Sequence, residues 1–572
     1  MADTPQTEMV TLTIDGKEVS VPKGTNIIEA AKSLEIEVPF YCYHPHLSVP
    51  GNCRICQVEV EGAPKLMIGC HTQVAEGMVV RTHQTSEKVR ETQASTMELL
   101  LINHPLDCTV CDQAGHCKLQ DYHYEYNAKP SRFLEVKENK PKAVPLGSTV
   151  MLDAERCIAC TRCVRFCDEV TETGEIGLLN RGDRYQIAVK EGRELDNPLS
   201  GTVVDLCPVG ALTHRHWRFN TRIWYANPKD SICPGCSTGC NVKVYERDGQ
   251  VVQVKARLNA DVNKEWLCDE GRYGFERFLP ASRVASAYVA GEPASLDGVL
   301  ETVGELKKGK TLLLCAPDLT LEDYSVVDLF TKKCLADAQW VTAVRQRELT
   351  QLEQILISPD YGANLCGAAY ISGVAASGFV ESGAAAGLRD VLEEGYVAAL
   401  KLLKSDYFDN VIFVGDRALD ERDLGDIELL QALTRTPFTL GILSDKEGAL
   451  FENSRVVIPG RSILEKSGML INRDYRLQYA QQVVPLRDGT YQDWKALNLL
   501  AQGLGKKLVE CESDRELTNI VLSTVDDLSG LSIRAIKQGG INLVSYASQL
   551  RQSAVVSENG NNTVTERESD RA

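Results

Sequence analysis

Sixteen of the twenty cysteines in this 572-residue chain lie between Cys42 and Cys268, many in C-x2-C steps; only Cys315, Cys334, Cys366 and Cys511 lie beyond. A secreted, disulfide-stapled protein would not group its cysteines this way. Met1–Met9 is polar and acidic, with neither the basic nor the apolar region of a signal peptide. Short paired spacings in a chain without such a signal read as metal ligands. The length predicts roughly three to five domains, and 43% hydrophobic with 25% charged residues is the composition of an ordinary globular protein. A formal net charge of −17 argues against a nucleic-acid partner and against polybasic docking on an anionic membrane. The longest uncharged stretch, Tyr361–Val380, holds four glycines and reads as packed or looped backbone rather than a transmembrane helix.

The cysteines fall into four groups. Cys42, Cys53, Cys56 and Cys70 follow a strand–turn–strand signal, Thr11–Ile14, Asp15-Gly16 and Glu18–Val21, and then a helix over Asn26–Leu34 that Thr25 can cap. These are the parts of a plant-type ferredoxin (β-grasp) domain, whose long loop wraps a [2Fe–2S] cluster; zinc is the alternative that any C-x-x-C leaves open. His104, Cys108, Cys111 and Cys117 form the second group. Three cysteines leave one ligand wanting for a [4Fe–4S] cluster, and His104 is placed to complete the set, with His116 as the other candidate. A neutral imidazole in place of a thiolate would raise the potential. Cys157, Cys160 and Cys163, with a distant Cys207-Pro208, follow ferredoxin logic for a [4Fe–4S] cluster; Cys167 reads as an unliganded thiol, with a remnant or alternative ligand as the other reading. Cys233, Cys236, Cys240 and Cys268 enclose a hairpin, Asn241–Val254, turning at Asp248-Gly249. The same arrangement opens the molybdenum oxidoreductases, where it holds a [4Fe–4S] cluster, and zinc is again the alternative.

Four thiolate-rich sites in series suit electrons hopping between centres more than they suit structural zinc. No phosphate-binding loop or dinucleotide fingerprint marks a nucleotide site, and Gly271–Gly274 reads as a turn. No separate catalytic constellation is evident. The order of the groups resembles the large iron–sulfur subunit (the G, or 75-kilodalton, type) of bacterial respiratory NADH:quinone oxidoreductase, complex I. The resemblance is carried by Cys42-Tyr43-His44-Pro45, Gly51-Asn52-Cys53-Arg54, His104-Pro105-Leu106-Asp107-Cys108, Arg156–Phe166 and Asp205–Thr213, over about the first 280 residues. It implies one [2Fe–2S] and three [4Fe–4S] clusters, and an oxidoreductase (translocase) role in the respiratory chain exercised only as a subunit. Electrons would enter the [2Fe–2S] cluster from an NADH-oxidising flavoprotein subunit and pass to the Cys157 cluster, then the His104 cluster. From there they would leave through a ferredoxin-like 4Fe-4S subunit toward quinone, with the Cys233 cluster off the path. It also implies other complex I subunits as partners, and a peripheral place on the cytoplasmic face of the inner (plasma) membrane, with membrane contact only through those subunits.

Beyond Cys268 the runs Lys310–Cys315 and Asn410–Val414 read as buried parallel strands, and Leu296–Leu306 and Glu393–Leu403 as amphipathic helices. Alternation of the two implies an α/β layered domain. Glu465-Lys466-Ser467-Gly468 through Asn472, Arg476 and Gln478, with Asp493-Trp494, resembles the molybdopterin oxidoreductase fold. A molybdenum-dependent formate dehydrogenase catalytic subunit is therefore the alternative function. Against it, Cys268 leads into Asp269-Glu270-Gly271-Arg272 where those enzymes usually carry a lysine. Cys315, in a buried strand, and Cys366, in a Gly-rich loop, do not sit as an active-site cysteine would. No molybdopterin is expected. An [FeFe]-hydrogenase would need further cysteine motifs, and a pure binding module leaves the clusters unexplained. The expected fold class is multidomain α+β and α/β. The domains are a [2Fe–2S] β-grasp domain over 1–82, a [4Fe–4S] segment with one histidine and three cysteine ligands over 83–128, a linker over 129–148 and a [4Fe–4S] ferredoxin-like domain over 149–225. They continue with a molybdopterin-oxidoreductase-type [4Fe–4S] domain over 226–282, an α/β scaffold over 283–510, and an extension over 511–572 with a disordered tail.

Overall fold

The computed structural model describes residues 8–127, 129–180, 182–307, 309–373 and 385–546. The chain divides into two compact units, Met1–Ala226 and Asn227–Ala572.

In the first unit, β1 (Met9–Ile14) and β2 (Lys17–Pro22) pair antiparallel across Asp15 and Gly16. Both turn residues have positive φ, 50° and 81°, the backbone a tight two-residue hairpin demands. With β3 (Gln57–Val60), β4 (Met67–Ile68) and β5 (Val79–Arg81) they form a five-stranded sheet ordered β2-β1-β5-β3-β4, in which β1 and β5 run parallel. Helix α1 (Ile27–Lys32) is capped by Asn26, whose side chain accepts from the Glu29 amide at 3.0 Å. Thr25, the sequence-based candidate for that cap, instead donates its hydroxyl to Pro22 O at 2.6 Å. Ile27, Ile28, Ala30 and Ala31 of α1 close over Leu12, Ile14, Val58 and Val80 of the sheet. Two helices follow, α2 (Glu87–Leu101) and α3 (Lys118–Tyr126).

The stretch 129–148 is not a free spacer. Lys137 Nζ donates to Leu101 O and Ile102 O at 2.9 and 2.6 Å, satisfying carbonyls left over at the end of α2. The stretch then enters a small sheet, β6 (Val144–Pro145), β7 (Val150–Leu152) and, later, β10 (Leu212–His214), ordered β10-β7-β6. Helix α4 (Arg162–Glu169), the hairpin of β8 (Ile176–Leu179) with β9 (Gln186–Val189), and α5 (Thr202–Leu206) complete the unit.

The second unit opens with β11 (Asn227–Ile232), β12 (Asn241–Arg247) and β13 (Gln250–Ala256), the expected hairpin plus an extra edge strand. Residues 271–273 lie in a short helix, Asp269–Tyr273, rather than a turn; the Cys268 sulfur caps it, accepting from Gly271 N at 3.2 Å. The core is a seven-stranded sheet formed by β14 (Ala287–Val289), β15 (Glu292–Ala294), β16 (Lys310–Cys315), β17 (Asp337–Thr342), β18 (Asn410–Val414), β19 (Phe438–Leu443) and β20 (Val456–Pro459). The order is β15-β14-β20-β19-β18-β16-β17, and the last five are parallel. Leu313, Cys315, Ile412 and Val414 face one hydrophobic core while Leu312, Leu314, Val411 and Phe413 face the other, so both sides of the sheet are covered. The expected helices are Leu296–Val303 and the longer Ala385–Lys404. Cys366 lies on a helix, Leu365–Ile371, not in a loop. Residues 374–380 of the uncharged stretch and the tail from Ser557 lie outside the described residues.

Candidate metal centres

The first cysteine group is sorted into two pairs. Cys42 and Cys53 are within side-chain hydrogen-bonding reach of each other, as are Cys56 and Cys70. The Cys53 thiol, donating to Cys42, is the main reason that the Cys42 thiol drops to about 5, burial opposing it. The same contact, followed by burial, pushes Cys53 upward. Arg54, inside the C-x2-C step, sits at φ 58° and turns the chain between the two pairs. Two thiolates for each of two irons is the donor set of a [2Fe–2S] cluster. A zinc ion would need all four sulfurs within about 2.3 Å of one point. Among the described residues no three His, Cys, Asp or Glu side chains converge closely enough to hold a single metal ion.

Cys157, Cys160, Cys163 and Cys207 line one small cavity together with Leu152, Ile187 and Val209. Their loop alternates left-handed residues, Ala159 at φ 51° and Thr161 at φ 61°, each worth about 1–3 kcal/mol of strain in a residue with a β-carbon. The alternation curls the backbone around the cavity and aims Ala159 N at Cys157 Sγ, 3.4 Å away. Burial, above all, pushes the Cys157, Cys160 and Cys207 thiols up to about 11. The pocket thus favours bare thiols or metal-bound thiolates over free anions. Cys167 does not line this cavity; it is buried on the far part of α4, its thiol raised to about 12, chiefly by burial.

Cys111 and Cys117 back directly onto the Cys207 loop. The Cys117 thiol points at Pro208 O, 3.9 Å away, and a β-carbon at Gly210 would collide with Cys111 Sγ, so only glycine fits there. Arg156, beside Cys157, is held by Asp107, beside Cys108, at 2.9 Å. His104 has a ring Nδ1 that is shielded from water and has no hydrogen-bond partner. Burial first, then Lys137 and Arg156, lower its pKa to about 4, which keeps the imidazole neutral and able to ligate. Cys108 is the exposed member of the group.

In the second unit Cys233, Cys236, Cys240 and Cys268 line a cavity closed by Gly271, Arg347 and Ile357. A β-carbon on Gly271 would lie 3.1 Å from Cys233 Sγ and 3.2 Å from Cys268 Sγ. The segment after Cys236 is clamped: Asp360 accepts from Ser237 N at 2.7 Å and from its hydroxyl at 2.5 Å, and Thr238 donates to Leu356 O at 2.7 Å. Sequence reasoning missed these supports because they lie 118 to 123 residues downstream.

The α/β sheet carries a cavity of about 370 Å³ at the carboxyl ends of its parallel strands, with Asp318 after β16, Arg417 after β18 and Arg461 after β20 on its wall. The chain leaves β16 for β17 on one side and later joins β18 on the other. This is the switch point at which open α/β sheets form a crevice. Its charges are largely engaged inside the protein: Arg417 with Asp318 at 3.3 Å, Arg345 with Asp423 at 2.7 Å, and Lys466 with Asp493.

Residues 93–132, which span the second group, match the family described as NADH-ubiquinone oxidoreductase-G iron-sulfur binding region. The chain is 41% identical over 342 residues to the G subunit of NADH-quinone oxidoreductase from Streptomyces coelicolor and 44% identical over 270 residues to that of Mycobacterium tuberculosis. The chain is of the NADH-quinone oxidoreductase G-subunit type. Three further matches bracket the other cysteine groups of this G-type chain. Residues 7–85 match a 2Fe-2S iron-sulfur cluster binding domain, 147–213 the ferredoxin-like domain of NADH-quinone oxidoreductase subunit 3, and 228–279 the molybdopterin oxidoreductase Fe4S4 domain. The mitochondrial 78 kDa subunit of NADH-ubiquinone oxidoreductase from Candida albicans is 38% identical over 357 residues, 59% of this chain and 48% of that protein. The Streptomyces match covers 58% of this chain and 41% of that protein, and the Mycobacterium match 47% and 34%. The chain therefore spans less than half the length of these relatives. A solved NAD+-reducing [NiFe]-hydrogenase overlaps 37% of this chain and 91% of its own at 27% identity, but with a TM-score of 0.34, too low to bear on the fold. Among the described residues no helix is long and apolar enough to cross a membrane.

Proposed function

We propose that this chain is the electron-transfer subunit of an NADH:quinone oxidoreductase, holding one [2Fe–2S] cluster on Cys42, Cys53, Cys56 and Cys70 and three [4Fe–4S] clusters. The latter lie on His104, Cys108, Cys111 and Cys117; on Cys157, Cys160, Cys163 and Cys207; and on Cys233, Cys236, Cys240 and Cys268. Bound clusters supply one-electron chemistry at sulfur-ligated iron. Electrons come from a flavoprotein subunit that oxidises NADH and leave through a ferredoxin-like 4Fe-4S subunit toward quinone. The assembly places the chain peripherally on the cytoplasmic face of the membrane. The observation that carries this reading is the central place of the Cys157 site. Its loops touch those of both other groups in the N-terminal unit, through Arg165 to Cys42 and through Pro208 and Gly210 to Cys117 and Cys111. That arrangement supports the order [2Fe–2S], Cys157 cluster, His104 cluster. The α/β domain, shaped like a molybdopterin oxidoreductase, serves as a scaffold; the internal pairing of its crevice charges supports that role over a formate dehydrogenase.

Metal and sulfide analysis of anaerobically purified protein, with EPR of the reduced sample, tests the reading. About 14 iron per chain are expected from the ligand types, with signals of both cluster kinds. Molybdenum near one per chain would transfer the chemistry to the α/β domain. In the assembled enzyme, Cys160→Ala should abolish NADH-to-quinone transfer while sparing NADH-to-ferricyanide activity; undiminished quinone reduction without that cluster would refute the order.

A further inference from the structure

Two arginines on the first turn of α4 reach across from one cluster loop to the other. Arg165 is 8% exposed; its Nη2 donates to Cys42 O at 2.5 Å and to Cys160 O at 3.4 Å, and its Nη1 to Ser48 O. One guanidinium thus binds the backbone of a ligand of the [2Fe–2S] site and of a ligand of the Cys157 site. Arg162, 7% exposed, repeats the pattern one residue along on each side: Nη2 to Tyr43 O, next to Cys42, and Nη1 to Leu206 O at 3.2 Å, next to Cys207. Thr161 and Asn52 add a weaker link at 3.4 Å, and Glu169 at the other end of α4 accepts from Ser48 N at 2.8 Å.

The partners named here for the two guanidinium groups are carbonyls, not carboxylates. A carbonyl orients a cation without cancelling its charge, so two positive charges are buried between two sites whose thiolate ligands make them anionic. A fixed positive charge favours the reduced, more negative form of a cluster on either side, and at the low effective dielectric of a buried site the effect is large.

We propose that Arg165, seconded by Arg162, is the positioning residue of this junction. It locks the Cys42 loop against the Cys160 loop in one register, and its buried charge raises the reduction potentials of both clusters together. The inference rests on the cluster assignment made above. A role confined to folding would change stability or iron content; it would not move two potentials in step with the charge at one position.

The test is an EPR-monitored redox titration of the full chain, loaded with its clusters, as the unaltered protein and as Arg165→Met, Arg165→Lys and Arg162→Met. In Arg165→Met the reduction equilibria of the [2Fe–2S] and Cys157 clusters should both fall about tenfold, or about 59 mV for one electron, with the signal of the Cys233 cluster unmoved. Arg165→Lys, which keeps the charge but not the fork, should stay within about threefold of the unaltered protein. If Arg165→Met fails to retain iron, Arg162→Met decides, and a joint fall of both potentials is again required. Potentials that stay put, move in only one cluster, or fall equally in Arg165→Lys overturn the proposal. An unaltered protein lacking one of the two signals overturns the cluster assignment itself.

Discussion

In the N-terminal unit the buried cations Arg162 and Arg165 face backbone carbonyls of cysteine loops, whereas in the C-terminal unit Lys466, Arg283 and Arg417 face the carboxylates of Asp493, Glu465 and Asp318. Both arrangements strip water from a charge, which costs several kcal/mol per ion before any partner is counted. They differ in what remains. A carbonyl-held guanidinium keeps its full charge and can act on a neighbouring anionic centre; a lysine against an aspartate leaves a neutral pair whose field dies within a few ångströms. The first arrangement belongs where a bound group needs a field, the second where a domain needs only to be held together.

The sharpest way to break that comparison is to remove the cation of a neutral pair. Lys466→Met leaves Asp493 buried beside Asp323 with no counter-charge, and the C-terminal unit should lose about 3–5 kcal/mol; urea unfolding followed by tryptophan fluorescence measures it through the buried Trp494. A loss below about 1 kcal/mol would mean that the pair is not what holds this part of the core.

Glu322 sharpens the comparison, because its hydrogen bonds come from neutral donors, the Thr518 hydroxyl at 2.6 Å and the Met469 amide at 2.9 Å. Burial raises its pKa from 4.5 to about 7. A carboxyl raised in the folded state contributes stability in its protonated form, full below the unfolded pKa and lost as pH rises through the folded one. Stability of the C-terminal unit should therefore decline between about pH 4.5 and 7, by on the order of 3 kcal/mol from this group. Glu322→Gln should flatten that slope, and an unchanged slope across the window would assign it to other groups.

The smallest effect is expected back in the N-terminal unit. Ala159→Gly relieves a left-handed alanine at φ 51°. It should change the stability of the cluster-loaded protein by less than about 1 kcal/mol and leave iron content intact. Loss of the Cys157 cluster in this variant would show that the β-carbon, not the backbone path, shapes the loop.

The four cysteine groups were legible because most of their members are neighbours in sequence, so spacing carries the information. The supports were not. Arg165 meets its carbonyl partners 117 and 123 residues away, and no local pattern announces a long-range contact to backbone. Strand β11 escaped notice because Asn227–Ile232 is polar, half exposed and carries Pro228, all tolerable only at a sheet edge. The helix at Asp269–Tyr273 was hidden by its glycine, although the sulfur of Cys268 caps it. Thr25 and Asn26 are both competent caps, and only the backbone conformation chose between them. The buried strands β16 and β18 read correctly because continuous apolar runs have few other uses.

The 123-residue separation between Cys42 and Arg165 also sets a clock on biosynthesis. At about 5–20 residues per second, a ribosome that has delivered Cys42 needs roughly 6–25 s more to deliver Arg165. For that interval the loop of the first cysteine group exists without its clamp, open to whatever delivers iron and sulfide, and it is sealed only once α4 has emerged.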